Sequence, residues 1–394
     1  MTLQSAHSKG GRNLLPDDLS LIHDGAVVFD DNQILWIGQS HDLPAQYSAL
    51  PTHILRNHVL TPGLVDSHTH LVFGGNRSQE YADRLNGVDY QEIANRGGGI
   101  LFTMRETLSL SEDELFAISQ QKLERFYKVG IKVIEVKSGY ALTVEGELRI
   151  LRVIQRLKES NRDKIKIFST FLGAHAVPKD HPSSRQFLNT VVIPTLEKAH
   201  AQGLVDFVDI FVEQGYFSVD DAKLLFLKAK ELGLKTRIHA DEFTDSSCGA
   251  LAAEFHCSSA DHLLKVSDHS IQLLSKSQTV ATLLPGTAFF LGKPLAPARK
   301  LLDAGCRVAL ASDYNPGSSH IDNLLLVASM AAPNLKMNLA EVWAAITLNP
   351  AYSLGLSNYG YLAAGSSSCF SLFATTQVSD ITYFWGRDFH QKTP

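Results

Sequence analysis

The chain has 394 residues, 44% of them hydrophobic and 20% charged, with a net charge of −5. That balance describes a folded globular chain with ample core-forming residues and excludes disorder as a description of the whole. No basic block or long apolar run stands out, so nucleic-acid and membrane partners have no electrostatic or hydropathic support.

In chain order, residues 1–18 carry little pattern and no apolar stretch typical of a secretory leader, and are expected to be irregular. The segment LIHDGAVVFDDNQILWIG reads as two strands joined by an Asp-Asp-Asn-Gln turn. Between about residues 60 and 345, short apolar runs end in polar clusters and alternate with amphipathic stretches. The runs are 60–70, 131–140, 165–175, 205–214, 234–243, 258–264, 279–286 and 307–317, the sixth being the shortest and most polar. Helical patterns lie between them at 144–160, 218–233 and 294–306, the second with Ser218 as N-cap and Gly233 as its stop. Eight strand–helix units in succession predict an α/β fold, a (β/α)8 barrel. The gap of about 60 residues between the first two runs requires insertions there. Near the end, CFSLFATT and ITYFWG are strand-like. The expected organisation is therefore 1–59 and 351–394 as two halves of a small composite β domain, with the barrel at 60–350 between them.

In such barrels chemistry sits where the strands end. Strand 1 ends in His68-Thr69-His70, and residues two apart on a strand face the same way, so both imidazoles point inward. Strand 5 places His239 inward with Glu242 three residues on; strand 6 ends near His262 and strand 8 at Asp313. A third histidine and an aspartate beside the HxH pair make an N3O set suited to Zn2+ with positions open for water. An isolated HxH pair is weak evidence, but its occurrence with polar groups at three other strand ends is not. Apart from these four and His175, the other eleven of the sixteen histidines fall in loops, helices or terminal segments, where surface or packing roles are expected. The four cysteines, Cys248, Cys257, Cys306 and Cys369, have no ligand spacing and suit buried packing in a reducing cytoplasm. Phe289-Phe290 reads as core or loop packing. Gly97–Gly99 lacks the flanking residues of a phosphate loop and reads as a flexible loop.

PGLVDSHTH, HADE, SSADH and ASDYNPG together resemble the amidohydrolase superfamily. HTHLVFGGNRSQEY, RGGGI, EVKSGYAL, FLGAHAVP, VDIFVE, IHADEF and ASDYNPGS narrow the resemblance to the imidazolonepropionase family, over about residues 24–350. The resemblance implies metal ligands His68, His70, His239 and Asp313. It implies Glu242 as general base, His262 as the group polarising the carbonyl, and a part for Asp313 in proton transfer. It implies substrate contacts from Arg77, Tyr140, His175, Glu242, Asn315, Gly317 and Ser318, with Arg77 offering a planar fork for a propionate. Binuclear relatives bridge two metals with a modified Lys on strand 4; here that strand offers Glu213, so one divalent metal, Zn2+ or Fe2+, is expected. Lys137 on strand 2 is expected to be an ion-pair partner. The loop at Gly97–Gly99 would lie near the active-site mouth as a lid. The implied reaction is hydrolytic ring opening of 4-imidazolone-5-propanoate to N-formimidoyl-L-glutamate in histidine degradation. The rivals are a mononuclear heterocycle deaminase such as a guanine deaminase, whose purine substrate has no carboxylate for Arg77 to grip, and a non-catalytic barrel binding protein. A small-molecule substrate and, from the base rate for soluble proteins, a homodimer complete the expectations.

Overall fold

A computed structural model of the chain describes residues 1–88, 92 and 96–391. The segment after residue 24 forms a hairpin of β1 (Gly25–Phe29) and β2 (Ile34–Gln39). Asp30 turns it, its carboxylate accepting from the backbone N–H groups of Asn32 and Gln33, both at 2.8 Å. The run at 60–70 divides. β3 (Val59–Pro62) pairs antiparallel with a C-terminal strand, and only β4 (Leu64–Asp66) enters the large sheet.

That sheet has eight parallel strands in sequence order: β4, β5 (Ile131–Lys137), β6 (Lys166–Ala174), β7 (Phe207–Ile210), β8 (Lys235–Ala240), β9 (Ser259–His262), β10 (Val280–Leu283) and β11 (Arg307–Leu310). Each of the eight expected runs contains one of them, the short sixth included. Closure comes just beyond the outer strands: Asp313 N–H donates to His68 O at 3.0 Å and His70 N–H to Tyr314 O at 2.9 Å. The hydrogen bonds that close the barrel are thus made by the residues of the two end motifs themselves. Strands of this sheet are almost wholly buried, as a barrel covered by helices requires.

The helix Val144–Ser160 matches the expected span, and helix Val219–Glu231 follows Ser218, whose hydroxyl accepts from Asp221 N–H in a capping box. Gly233 follows it with φ +70°. The third helix is shorter than its pattern, Ala298–Asp303, because Pro294 and Pro297 keep the preceding chain out of helical geometry. The insertion after β4 carries helices Ser78–Leu85, Ile100–Ser109 and Glu112–Lys128. Among the described residues no helix is long and apolar enough to cross a membrane.

The chain ends meet as expected, with three local corrections. β12 (Phe370–Phe373) sits between β3 and β13 (His390–Gln391) in one small sheet, and Ile34 of the hairpin exchanges backbone bonds of 2.8 Å with residues 365 and 366. Ile34, Leu362 and Phe370 form the core between them. ITYFWG is not a strand: Val378–Tyr383 is a short helix that buries Val378, Ile381 and Thr382, at the i, i+3, i+4 spacing of one helical face. Residues 1–18 are not patternless, for they form helix Gln4–Ser8 and a short turn Pro16–Leu19. Nor do they join the small sheets alone, since Arg12 donates to Ser275 O at 2.8 Å and Arg307 to Gly10 O at 2.7 Å, tying this segment to the end of the barrel remote from His68.

Candidate metal centre and active site

The ligand-bearing segments are held by backbone bonds before any side chain is considered. β4 ends at Asp66, and His68 and His70 follow in extended register against Tyr314. The imidazoles of His68, His70 and His239 place one nitrogen each within 4.8 Å of one another, all buried. Asp313 completes the group, its Oδ1 lying 3.4 Å from His68 Nε2 and 3.5 Å from His70 Nε2. Thr287 and Asn315 fix it, the hydroxyl donating to its carboxylate and the amide to its carbonyl at 2.7 Å.

The donor set fits a metal ion. His68 Nε2 and His239 Nε2 are buried nitrogens with no hydrogen-bond partner, an expensive state unless something else binds them. Their other nitrogens face carboxylates: His68 Nδ1 hydrogen-bonds Asp261 at 2.7 Å, and His239 Nδ1 lies 3.1 Å from Asp209. For His68 this sets the tautomer with the lone pair on Nε2, the arrangement in which an imidazole binds a metal; for His239 the Asp209 carboxylate stands close on the Nδ1 side without a formed hydrogen bond. Burial, followed by the charges of Lys137 and the neighbouring imidazoles, holds His68 well below the usual histidine range, and burial does the same to His70, which favours the neutral form that a metal ion requires. Asp313 is pushed up to about 6, chiefly by burial.

Glu242 and His262 stand over this cluster. The Glu242 carboxylate lies 3.7 Å from His262 Nε2, and the His262 ring is 5.2 Å from that of His239. Burial, then the charges of Asp313 and Glu213, raises Glu242 well above the usual carboxylate range. The backbone here is strained: Asp241, His262 and Asp313 have φ of 51°, 78° and 50°. Asp241 stabilises its turn by accepting three backbone N–H bonds of 3.0 Å, from Ser246, Cys248 and Gly249. The Glu213 carboxylate clamps the loop that follows Glu242, accepting from Phe243 N–H at 2.9 Å and Thr244 N–H at 3.1 Å.

A cavity of about 700 Å³ opens above, with His70, His239, Glu242, His262 and Asp313 on its floor. Arg77, Tyr140, His175, Asn315, Gly317 and Ser318 also line it, while His68 lies beneath the floor. Arg77 is oriented by Glu80, 2.8 Å from its Nε, and its guanidinium packs against Gly317 of the same wall. His175 stacks on His70 at 5.2 Å and donates from Nδ1 to Gly139 O at 3.0 Å; burial lowers it to about 4. The Asn315 amide is largely spent on its own loop, its oxygen accepting from Gly317 N–H and Ser318 N–H at 2.8 Å. Gly317 passes so close to Arg77 that a Cβ would lie 2.2 Å from a guanidinium nitrogen. Gly99 N–H donates to Glu80 at 2.8 Å, so the glycine loop reaches the wall through the residue that orients Arg77.

Several contributors had no signal of their own in the sequence. Asp209 and Asp261 lie within the VDIFVE and SSADH segments without being singled out there, and only strand register places Asp261 opposite His239. Phe290 lines the cavity and stacks on Tyr81 at 5.4 Å, whereas Phe289 is exposed, so neither is core. Lys137 is an ion-pair partner, and three of the cysteines are buried and all four are free.

The amidohydrolase family pattern matches residues 59–393. An imidazolonepropionase of Bdellovibrio bacteriovorus is 39% identical over 372 residues, 93% of this chain and 87% of that protein. One of Bacillus velezensis is 40% identical over 389 residues, 98% of this chain and 91% of that protein. Among solved structures, a guanine deaminase of C. acetobutylicum superposes with a TM-score of 0.68 over 92% of this chain and 90% of its own, at 17% identity, which speaks for the fold alone. The A. niger ochratoxinase gives 0.68 over 94% and 89% at 16% identity. The chain belongs to the amidohydrolase family and, within it, to the imidazolonepropionases.

Proposed function

We propose that this chain opens the ring of 4-imidazolone-5-propanoate with water, giving N-formimidoyl-L-glutamate, the step of histidine degradation that its relatives' name denotes. The observation that carries the reading is an Arg77 guanidinium in the wall of a cavity floored by the imidazole cluster and Glu242, together with relatives of that name at about 40% identity. A neutral purine offers Arg77 no carboxylate, so a deaminase reading has less support.

In this reading His68, His70, His239 and Asp313 hold one divalent ion, Zn2+ or Fe2+, since strand 4 presents a loop-clamping Glu213 and no lysine. The ion supplies Lewis acidity, making a water more acidic and a carbonyl more electrophilic. Glu242 takes the proton from the attacking water and passes it to the departing ring nitrogen; its raised affinity for protons suits both transfers. His262 donates toward the oxygen on which charge builds, and Asp313 assists the proton movement. Arg77 grips the propionate, Tyr140 and His175 enclose the ring, and Asn315 shapes the loop on which Gly317 and Ser318 meet the substrate. The Gly97–Gly99 loop acts as a lid over Arg77 through Glu80. The enzyme works in the cytoplasm, in keeping with four free cysteines, and as a homodimer. The composite β domain is taken to comprise 1–59 and 351–394 around a catalytic unit of 60–350, with Val59–Pro62 shared between them.

The test is turnover of imidazolonepropanoate, followed by loss of the ring's ultraviolet absorbance; ammonia release from purines with no such turnover would replace the reading with a deaminase. Metal analysis of the purified protein should find about one equivalent per chain, and two tightly held equivalents would count against a mononuclear site. Arg77→Ala should raise KM about 10- to 100-fold, on the scale of a lost charge-assisted pair of hydrogen bonds, with a smaller change in kcat. An unchanged KM would move the carboxylate site elsewhere.

A further inference from the structure

Beneath the imidazole cluster lies a group of five charged side chains with no exposure at all: Glu135 and Lys137 on β5, Asp209 on β7, Arg237 on β8 and Asp261 on β9. Lys137 sits at its centre. Its ammonium is 2.9 Å from Glu135, 2.8 Å from Asp209 and 3.9 Å from Asp261. Asp209 and Asp261 are the two carboxylates that face His239 Nδ1 and His68 Nδ1. Lys137 therefore stands behind both imidazoles whose Nε2 atoms have no hydrogen-bond partner among the described residues. Arg237 reaches Asp261 at 3.5 Å and donates to Ser67 O at 2.7 Å, so it steadies one side only.

Two physical facts give this placement consequences. A buried carboxylate keeps its position and its charge only when compensated, and three carboxylates against two cations leave this group short of positive charge just below the candidate metal site. The direction in which an imidazole presents its lone pair is set by what its other nitrogen meets. We infer that Lys137 is a positioning residue: by anchoring Asp209 and Asp261 together it aims His239 and His68 at one point and so sets the affinity for the metal ion. This rests on the metal reading above. The competing account is a mutually satisfying Lys137–Glu135 pair, two residues apart on one strand, that merely fills the barrel interior.

Lys137→Met alone leaves three carboxylates facing one cation and is expected to be unstable. The Lys137→Met, Glu135→Gln double variant removes one charge of each sign, keeps similar volume and retains an amide oxygen for the Thr69 N–H that Glu135 accepts at 3.2 Å. Full-length wild type and both variants would be stripped of metal, checked for native circular dichroism and titrated with Zn2+ in competition with a chromogenic chelator. The double variant, and the single one if folded, should bind Zn2+ about 10- to 100-fold more weakly than wild type, the scale of removing a group behind a metal ligand. A folded double variant with wild-type affinity overturns the inference, and so does a double variant that never folds even with Zn2+ present, because the role is then structural. Failure of the wild type itself to bind Zn2+ would instead strike the metal reading.

Discussion

Glu242→Gln is expected to lower kcat by about 10²- to 10⁴-fold with KM nearly unchanged and the metal content intact. The amide keeps the size and one acceptor oxygen of the carboxylate but cannot carry a proton. Glu242 is 8% exposed and stands outside the trio of imidazoles whose nitrogens lie within 4.8 Å of one another, so its loss should not release the ion. Burial with Asp313 and Glu213 nearby makes its charged form costly, which favours a group that accepts a proton and surrenders it later in the same turnover. Steady-state kinetics beside metal analysis of the same preparation separate the effects. Near-normal turnover would remove Glu242 as the proton carrier, and loss of metal would make it a ligand.

Arg237→Leu is expected to destabilise the fold by about 3–5 kcal/mol, the usual consequence of removing one partner from a buried ion pair. Arg237 is wholly buried, as is Asp261, and no solvent screens them. Its loss leaves Asp261 with only the Lys137 ammonium at 3.9 Å and the His68 imidazole, and frees the Ser67 carbonyl that precedes His68. The shift in the urea unfolding midpoint of the metal-free protein measures this. A change below about 1 kcal/mol would mean that the interior relaxes or admits water, and that the charged group is softer than its burial implies.

Much of the site could be read before the fold was known, for reasons particular to barrels. Each strand ends at the same face, so polar residues that close apolar runs converge although they lie far apart in the chain; His68, His70, His239, His262 and Asp313 all announced themselves that way. Period-two alternation put His68 and His70 on one side. The helix Val144–Ser160 and the Ser218 cap were legible because capping and amphipathic spacing act over a single turn. Residues 1–18 and 381–386 were misread because their structure is imposed by what they pack against: Arg12 is ordered by carbonyls at 275, 277 and 305.

The order and burial of the strands, the inward imidazoles and the missing strand-4 lysine were determined by sequence alone, since they follow from periodicity and residue chemistry along one stretch at a time. Which groups stand behind those imidazoles was decided only by the closed barrel. Asp209, Asp261, Arg237 and Lys137 lie on four different strands and are joined solely by lateral register, His239 opposite Asp261 on the neighbouring strand. Lateral register depends on hydrogen bonds between segments distant in the chain, and no local pattern encodes it. The same holds for the division of residues 59–66 between two sheets: the apolar run is continuous, and its two halves part only because β12 and β5 offer different partners.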